Sequence, residues 1–213
     1  VLCMPSSQTL AIARNKYVLY KTFEYDDLVP SISTYLSGEV PITLLPAIAK
    51  PYNGRSSEGV LRISNVKELE EVSSKSGYIF QEIIEGPVFT VDYIRNSYTD
   101  KDFSIVREEL LRTKNGAGTT VRMSNDMSLK RLVSHIGNMI QVNGCINMEF
   151  IQSKGKYYLI DINPRFSAGV AFSHMAGYNM VLNHLNCFIV QDIQAPVLYQ
   201  EQIITKRYRE EIL

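Results

Sequence analysis

Cysteine is scarce in the sequence, and the placement of the few cysteines excludes two common small-protein scaffolds. Cys3, Cys145 and Cys187 are odd in number and far apart, and none has a neighbour at metal-ligand spacing. Disulfide frameworks and zinc sites need paired or clustered cysteines. We therefore expect neither feature, as is typical of a protein from the reducing cytoplasm.

The sequence also lacks an excess of charge of either sign and any long apolar run. Its 22 basic residues balance its 22 acidic residues, and neither sign is concentrated in one segment. Binding of nucleic acid or of an anionic membrane needs a basic surface, so we expect neither partner. No apolar run approaches the roughly 18 residues that span a bilayer, which predicts a soluble, cytoplasmic protein. The expected ligands are small molecules.

Apolar side chains recur at both helical and strand spacing, which predicts an α+β fold. Helices are expected over residues 12–28, 66–74, a segment capped by Asn125, and 170–190. Strands are expected over residues 42–50, 78–84, 88–94, parts of 103–123, and a β-hairpin formed by CINMEFIQ and KYYLIDIN. Asn65 and Glu68 have the spacing of a helix capping box. The 213 residues fit one large domain or two lobes, with a boundary at Glu85-Gly86-Pro87.

The predicted hairpin brings two acidic side chains together. Glu149 lies six residues before Gly155 and Asp161 six residues after it, so in a hairpin centred on this glycine their Cβ atoms are about 4.5–5.5 Å apart. Carboxylates at this distance repel unless a cation lies between them. Asn163 and Arg165 follow on the same face of the strand. The all-oxygen set favours Mg²⁺, although solvent-facing strand residues would show the same spacing.

A loop rich in glycine and serine follows a lysine at the end of a predicted strand. The segment KPYNGRSSEGV begins with Lys50, and its small residues are Gly54, Ser56, Ser57 and Gly59. Such a loop can point backbone N–H groups at phosphate oxygens, although it lacks the Walker A spacing. A plain surface turn has the same composition, so Lys50 is what favours phosphate binding.

Three arginines in the segment 107–122 are candidates for contact with an anionic substrate. Arginine recognises carboxylates through two parallel hydrogen bonds, which suits Arg107, Arg112 and Arg122 to this role. Solvated charges on exposed strands would give the same pattern. Both interpretations stay open at this point.

Four separated segments resemble, in this order, the ATP-grasp superfamily, and within it the subgroup of the carbamoyl phosphate synthetase large subunit and biotin carboxylase. They are ARNKY, AKPYNGRSSEGV, FQEIIEGPVFTVDYI and NMEFIQSKGKYYLIDINPRFSAG. The resemblance spans residues 15–183 and implies an ATP-grasp fold, in which two α+β lobes with antiparallel sheets enclose a nucleotide cleft. It divides the chain into a remnant or linker of an upstream domain (1–14), a small lobe (15–85) and a large lobe with the metal site (86–213).

The resemblance also implies which residues contact ATP. Lys16 and Lys50 correspond to residues that bind its phosphates, and Lys50 is also expected to be catalytic. The loop with Ser56, Ser57 and Gly59 is expected to close over the phosphates. Main-chain groups at Glu82 and Ile84 correspond to the adenine site. Glu85 is the candidate for the ribose, because Val88 stands where many relatives have an acidic residue.

Further positions of the resemblance concern the metal and the reaction. Glu149, Asp161 and Asn163 correspond to metal ligands for Mg²⁺, with Mn²⁺ as the alternative metal, and Arg165 to a catalytic residue that faces the reacting carboxylate and the γ-phosphate. The implied activity is ATP-dependent activation of a carboxylate or bicarbonate as an acyl phosphate, followed by ligation to an amine or ammonia.

Relatives usually begin with a separate α/β domain that helps to bind substrate, and this sequence begins about where that domain would end. An upstream domain, a second subunit or a homodimer is therefore an expected partner, beside the small carboxylate and amine substrates. Two alternatives to a complete enzyme remain. One is an ATP-binding or half-site subunit, without turnover, of a split carbamoyl phosphate synthetase-like enzyme. The other is a protein-interaction domain that binds no nucleotide.

Overall fold

The computed structural model of the chain describes residues 2–54, 58–114 and 116–207. These residues form two antiparallel sheets and the helices that cover them. The helices are α1 (Ser7–Arg14), α2 (Lys16–Phe23), a 3₁₀ helix (Ile42–Leu44), α3 (Val66–Ser73), α4 (Met127–Met139), α5 (Val170–Met175) and α6 (Met180–Phe188). The strands are β1 (Thr34–Leu36), β2 (Ala47–Pro51), β3 (Leu61–Ile63), β4 (Tyr78–Glu82), β5 (Val88–Asn96), β6 (Lys101–Arg112), β7 (Gly118–Ser124), β8 (Gly144–Ser153), β9 (Lys156–Asn163) and β10 (Ile203–Thr205).

The smaller sheet has the strand order β1-β4-β2-β3. Its apolar face packs against α3, which contributes Leu69 and Val72 to a core shared with Phe80 of β4. Asn65 caps α3 as predicted, because its side chain accepts a hydrogen bond from the Glu68 amide; the Glu68 carboxylate accepts in return from the Ser64 amide, one residue before the expected partner of a capping box. Lys50 is the second-last residue of β2 in this sheet.

The larger sheet has the strand order β10-β7-β6-β5-β8-β9. One of its faces has an apolar centre that packs against α4, α1 and α2. The residues that fill this core from the sheet include Val91, Val106, Met148 and Ile162, none of them more than 1% exposed. The helices α1 and α2 therefore share a core with the larger sheet rather than with the smaller one.

The opposite face of the larger sheet is divided into an apolar half and a polar half. The apolar half includes Ile105 and Met123 and is covered by α5 and α6. The polar half faces the cleft beside the smaller sheet, and strand register places its side chains on neighbouring strands. These residues are Thr90, Arg107, Glu109, Asn147, Glu149, Asp161 and Asn163.

Four local predictions need correction. The helix expected over residues 12–28 is two helices, because Asn15 ends α1 and its side chain caps α2 by accepting from the Tyr17 and Val18 amides. The strand expected over 42–50 starts only at Ala47, after a 3₁₀ turn. Asp126 rather than Asn125 caps α4. The helix expected over 170–190 is broken at Gly177, whose φ of 90° is unfavourable for other residues.

The two sheets are joined by the irregular segment 83–87. Gly86 allows this segment to lie against β8, because a Cβ atom there would lie 1.8 Å from the Gln152 carbonyl oxygen. The Gln152 amide in turn donates to the carbonyl oxygen of Pro87, at 2.9 Å. No helix among the described residues has the length and apolar character needed to cross a membrane.

Candidate nucleotide and metal site

The hairpin of β8 and β9 places the predicted acidic pair together. Glu149 lies directly opposite Asp161, and Asn147 lies opposite Asn163. Directly paired residues of antiparallel strands point to the same face, so the two carboxylates and the Asn163 amide share the polar half of the sheet. A β-bulge at Ile160 sets this register, because β9 has one residue more than β8 at this level.

Each of the two carboxylates already has a cationic partner from the chain. Lys16 Nζ lies 2.9 Å from Asp161 Oδ1 and also donates to the carbonyl oxygen of Gly54, at 3.1 Å. Arg112 Nη2 lies 2.9 Å from Glu149 Oε2. A cation that enters between the carboxylates would therefore compete with Lys16 and Arg112.

The electrostatics of Glu149 favour a bound cation. Burial raises the pKa of Glu149 above its ordinary value, Arg112 opposes this shift, and the neighbouring carboxylate of Asp161 raises the pKa further. The ionised form therefore gains from additional positive charge.

The donor set fits Mg²⁺, which prefers oxygen ligands and keeps several positions for water and phosphate. Among the described residues no group of three or more His, Cys, Asp or Glu side chains could hold a metal. A metal here would thus rest on Glu149, Asp161 and the Asn163 amide oxygen, with the remaining ligands supplied by other molecules.

Lys50 approaches the same place from the smaller sheet. Its Nζ lies 3.5 Å from the carbonyl oxygen of Ile160, the bulged residue of β9. Burial lowers the pKa of Lys50 to about 8, an effect that Asp161 opposes and Lys16 reinforces. The two lysines and the acidic pair therefore converge between the sheets. An anionic ligand bound at this place would stabilise the charged form of Lys50.

Two cavities meet at the end of β9, and both are lined by Asp161, Asn163 and Arg165. The smaller, of about 240 Å³, lies over the polar half of the sheet and is also lined by Glu109 and Glu149. The larger, of about 790 Å³, lies between α1 and the loop that follows β2. Arg165 is exposed, and its Nη1 donates to the carbonyl oxygen of Phe166 at 3.0 Å.

The remaining predicted nucleotide contacts lie in the loop after β2, at the end of β4 and in the segment that joins the sheets. Ser56 and Ser57 lie outside the described residues, and Gly59 has a φ of 73° close to Pro51. The Glu82 amide donates to the carbonyl oxygen of Ser33, and its carboxylate accepts from the Ser33 amide. Only the carbonyl group of Glu82 is therefore open to adenine.

Ile84 and Glu85 belong to the irregular segment between the sheets. Ile84 is half-buried, whereas Glu85 is exposed. A backbone that belongs to neither sheet leaves its polar groups available to a ligand, so the position suits the predicted contacts. The roles of all these residues stay predictions.

The three candidate arginines have different surroundings. Arg107 is 1% exposed and donates to Asp92 at 2.8 Å and to Ser167 at 2.9 Å. Arg112 pairs with Glu149 at the cavity wall, and Arg122 pairs with Glu108 on the exposed surface, at 2.6 Å. Arg122 is thus an ordinary surface charge, whereas the other two line the smaller cavity.

Reasoning from the sequence missed Glu109, which lines the smaller cavity two residues after Arg107. The available signal was the two-residue spacing along a predicted strand, which places both side chains on one face. It also missed Asp92 and Ser167, the partners of Arg107, because neither lies near Arg107 in sequence.

The family of the chain follows from its sequence together with this geometry. A family model described as an ATP-grasp domain matches residues 13–169, a segment that includes the acidic hairpin, both lysines and the cleft between the sheets. The chain therefore belongs to the ATP-grasp family. No curated protein matches the sequence.

Solved structures support the same fold. The biotin carboxylase domain of Hydrogenobacter thermophilus 2-oxoglutarate carboxylase, in complex with MgADP, ADP and bicarbonate, matches 91% of this chain and 49% of its own, at 15% identity and a TM-score of 0.77. N5-carboxyaminoimidazole ribonucleotide synthetase from Thermotoga maritima matches 90% and 53%, at 19% identity and 0.73. The L-amino acid ligase from Bacillus licheniformis matches 84% and 48%, at 19% identity and 0.64. The chain spans about half the length of each.

Proposed function

We propose that the chain is the catalytic ATP-grasp domain of a ligase that uses Mg-ATP. In this reaction a carboxylate, or bicarbonate, is activated as an acyl phosphate and then joined to an amine or ammonia. The observation that supports this most strongly is the opposed pair of Glu149 and Asp161, with Lys16 and Lys50 converging on the same end of β9.

The proposed nucleotide path follows the cleft between the sheets. Adenine binds to the carbonyl group of Glu82 and the main chain of Ile84, and Glu85 lies beside the ribose. The phosphates then extend to Lys16 and Lys50, whose charges offset those of the phosphate oxygens.

Glu149, Asp161 and Asn163 would hold Mg²⁺, or Mn²⁺ as the alternative. Such a metal neutralises charge on the β- and γ-phosphates when bound. Ser56, Ser57 and Gly59 are proposed to cover the phosphates.

The chemistry asks mainly for positioning and charge neutralisation, because phosphoryl transfer needs little acid or base catalysis. A carboxylate oxygen attacks the γ-phosphorus in line, and ADP leaves. The amine nitrogen then attacks the acyl carbon, phosphate leaves with the bonding electrons, and the nitrogen loses its proton. Arg165 at the junction of the two cavities is placed to contact the reacting carboxylate and the transferred phosphoryl group.

The partners in this proposal extend beyond the described chain. The similar proteins are about twice as long as this chain, so we propose that an upstream domain or a second subunit, or a homodimer, completes the acceptor site. Residues 1–14 would then link to it. The solved neighbour is a complex with MgADP, ADP and bicarbonate, and a nucleotide with bicarbonate is the type of ligand pair that the proposed reaction needs.

The experiment is Mg²⁺-dependent ADP release, screened with carboxylates, bicarbonate and amines, beside direct measurement of ATP binding. The test variant is Asp161→Asn. It removes one negative charge from the proposed metal ligands and also removes the ion-pair partner of Lys16. We expect ADP release to fall by about 10²-fold or more, with loss of the Mg²⁺ dependence of nucleotide binding. Asp27→Asn, at an exposed aspartate away from the cleft, is the matched control and should retain both properties.

The outcomes separate the proposal from its alternatives. ATP binding without ADP release under any combination would support a half-site or non-catalytic nucleotide-binding subunit. Absence of adenine nucleotide binding in the presence of Mg²⁺ would refute both of these and leave the interaction domain.

A further inference from the structure

A buried cluster of charges beside the acidic hairpin has an excess of negative charge. Its members are the carboxylates of Asp92 and Glu109 and the guanidinium of Arg107, with exposed side-chain fractions of 0%, 3% and 1%. Arg107 donates one Nη group to Asp92 and the other to Ser167. One cation thus serves two buried carboxylates, and unbalanced buried charge is costly.

Glu109 is the carboxylate that is left without adequate pairing. Its Oε1 lies 3.4 Å from Arg107 Nε, an ion-pair distance without a well-aligned hydrogen bond, and its Oε2 is buried with no partner among the described residues. Asp92 accepts hydrogen bonds from both Arg107 and Ser173 through Oδ2, although its Oδ1 is also buried without a partner among the described residues, whereas Glu109 accepts no hydrogen bond there. The unmet demand for a hydrogen-bond donor is therefore greatest at Glu109.

The Glu109 carboxylate packs closely against Gly118 at one side of a cavity. A Cβ atom added at Gly118 would lie 1.8 Å from Glu109 Oε2, so only glycine is compatible with the observed position of the side chain. Glu109 and Gly118 both line the cavity of about 240 Å³. The Glu109 side chain thus lines a space that a small molecule can enter, and a small rotation of its carboxylate would bring the buried, unpartnered Oε2 to that space.

The missing partner should be a cation with N–H donors. A divalent metal is disfavoured, because Arg107, 3.4 Å from the carboxylate, repels a divalent ion more strongly than a monovalent one. An ammonium group carries a single charge and forms charge-assisted hydrogen bonds with a carboxylate.

We propose that Glu109 binds the ammonium group of a small amine substrate in the cavity over the polar half of the larger sheet. This inference rests on the proposed ligase function and specifies its second substrate as a compound that binds with a protonated amino group. One ammonium proton then passes to the Glu109 carboxylate, which frees the nitrogen lone pair for attack on the acyl carbon, and the second proton is lost to solvent after phosphate leaves. The amine then lies on the same sheet face as the acidic hairpin, between Arg107 and Arg112, close to the place where the acyl phosphate would form.

Direct binding tests this proposal independently of turnover. Calorimetric titration of the protein uses a panel of L-amino acids, the 2-hydroxy acids that match them except for the amino group, ethylamine, ammonium chloride and MgCl₂ alone. We expect affinity for compounds with an amino group and weak or no binding of the matched hydroxy acids. Glu109→Gln should weaken amine binding by about 10- to 100-fold, and Glu109→Asp should restore part of it.

Two further variants distinguish a binding role from a structural one. Glu108→Gln alters the neighbouring residue, whose side chain pairs with Arg122 on the opposite, exposed side of β6, and should leave amine affinity unchanged. Gly118→Ala keeps every charge but forces the Glu109 carboxylate to move, and should weaken amine binding as Glu109→Gln does. ADP binding is measured for each variant as a control that the protein is folded and the nucleotide site is intact.

The results separate this inference from the proposed function. Equal binding of amino and hydroxy acids by the wild type, unchanged amine affinity in Glu109→Gln, or Mg²⁺ binding that depends on Glu109 would overturn it. If carboxylates stimulate ADP release but calorimetry shows no amine binding, the proposed ligase function is retained and the role of Glu109 is refuted. Amine binding without any ADP release would support Glu109 and refute the ligase.

Discussion

Lys50 is predicted to make nucleotide binding depend on pH in a range where phosphate itself does not titrate. Burial lowers the pKa of this side chain to about 8 in the ligand-free protein. In the proposed complex the nucleotide phosphates stabilise the charged ammonium, so binding raises the pKa. The bound state therefore holds more protons than the free state above pH 8, and by linkage affinity must fall as pH rises through this value.

The magnitude follows from the fraction of protein in which Lys50 is charged. With a pKa of about 8, this fraction is about 90% at pH 7 and about 10% at pH 9. If only the charged form binds well, the apparent dissociation constant rises in inverse proportion to that fraction, which is about tenfold over the two pH units. Phosphate monoesters titrate near pH 6, so most of this change comes from the protein.

The assay is calorimetric titration with MgADP between pH 7 and 9, repeated in buffers of different ionisation enthalpy to count protons. At pH 8.5 the wild type should take up most of one proton on binding. Lys50→Arg keeps a positive charge that does not titrate here and should bind with little pH dependence, whereas Lys50→Met should bind weakly at every pH. The reasoning fails if wild-type affinity is constant over this range, or if Lys50→Arg shows the same slope as the wild type.

Two further predictions concern the stability of the scaffold, measured as the free energy of unfolding in urea. Gly86→Ala should lower the free energy of unfolding by about 2–4 kcal/mol, because the new Cβ would collide with the Gln152 carbonyl at 1.8 Å. Gly38→Ala, at a positive φ with no atom within 4 Å of the new Cβ, is the control and should lower it by only about 1–2 kcal/mol. Similar losses in both variants would contradict the close approach of Gly86 to Gln152. Asn65→Ala should cost about 1 kcal/mol by removing the cap on the Glu68 amide, and an unchanged midpoint would show that the cap contributes nothing.

The sequence predicts which segments form helices and strands better than it predicts where they end. The capping box at Asn65 marks the start of α3 correctly, because its signal is local and chemical. Asn15 carries an equally local signal but lies inside an apolar pattern that continues across it, so one helix is predicted where two exist. Apolar spacing reports the buried face of a segment, and two successive helices that bury residues in one core preserve it.

The acidic pair is predicted correctly although the turn that was assumed for it is wrong. The structure has a two-residue turn, in which Lys154 and Gly155 have φ values of 48° and 74° and Ser153 pairs with Lys156. Continued without interruption, this register would place Ile160 opposite Glu149 and turn the Asp161 side chain to the other face. The bulge at Ile160 restores the pair. Nothing in the local sequence indicates a bulge. The register was therefore predictable only from the requirement that the Glu149 and Asp161 carboxylates meet to bind a cation.

The candidate amine subsite depends on information that a strand pattern cannot contain. Ile105, Arg107 and Glu109 lie on the same face of β6, and alternation alone predicts one environment for all three. Their environments differ because α5 and α6 cover this face of the sheet at Ile105, whereas at Glu109 the same face is open to the cavity. Where that cover ends depends on tertiary packing, including the break at Gly177 that separates the two helices. A buried carboxylate with one oxygen that lacks a hydrogen-bond partner is therefore a property of the assembled sheet. Comparison of Glu109 with Glu108 variants isolates this property, since these neighbours lie on opposite faces of β6.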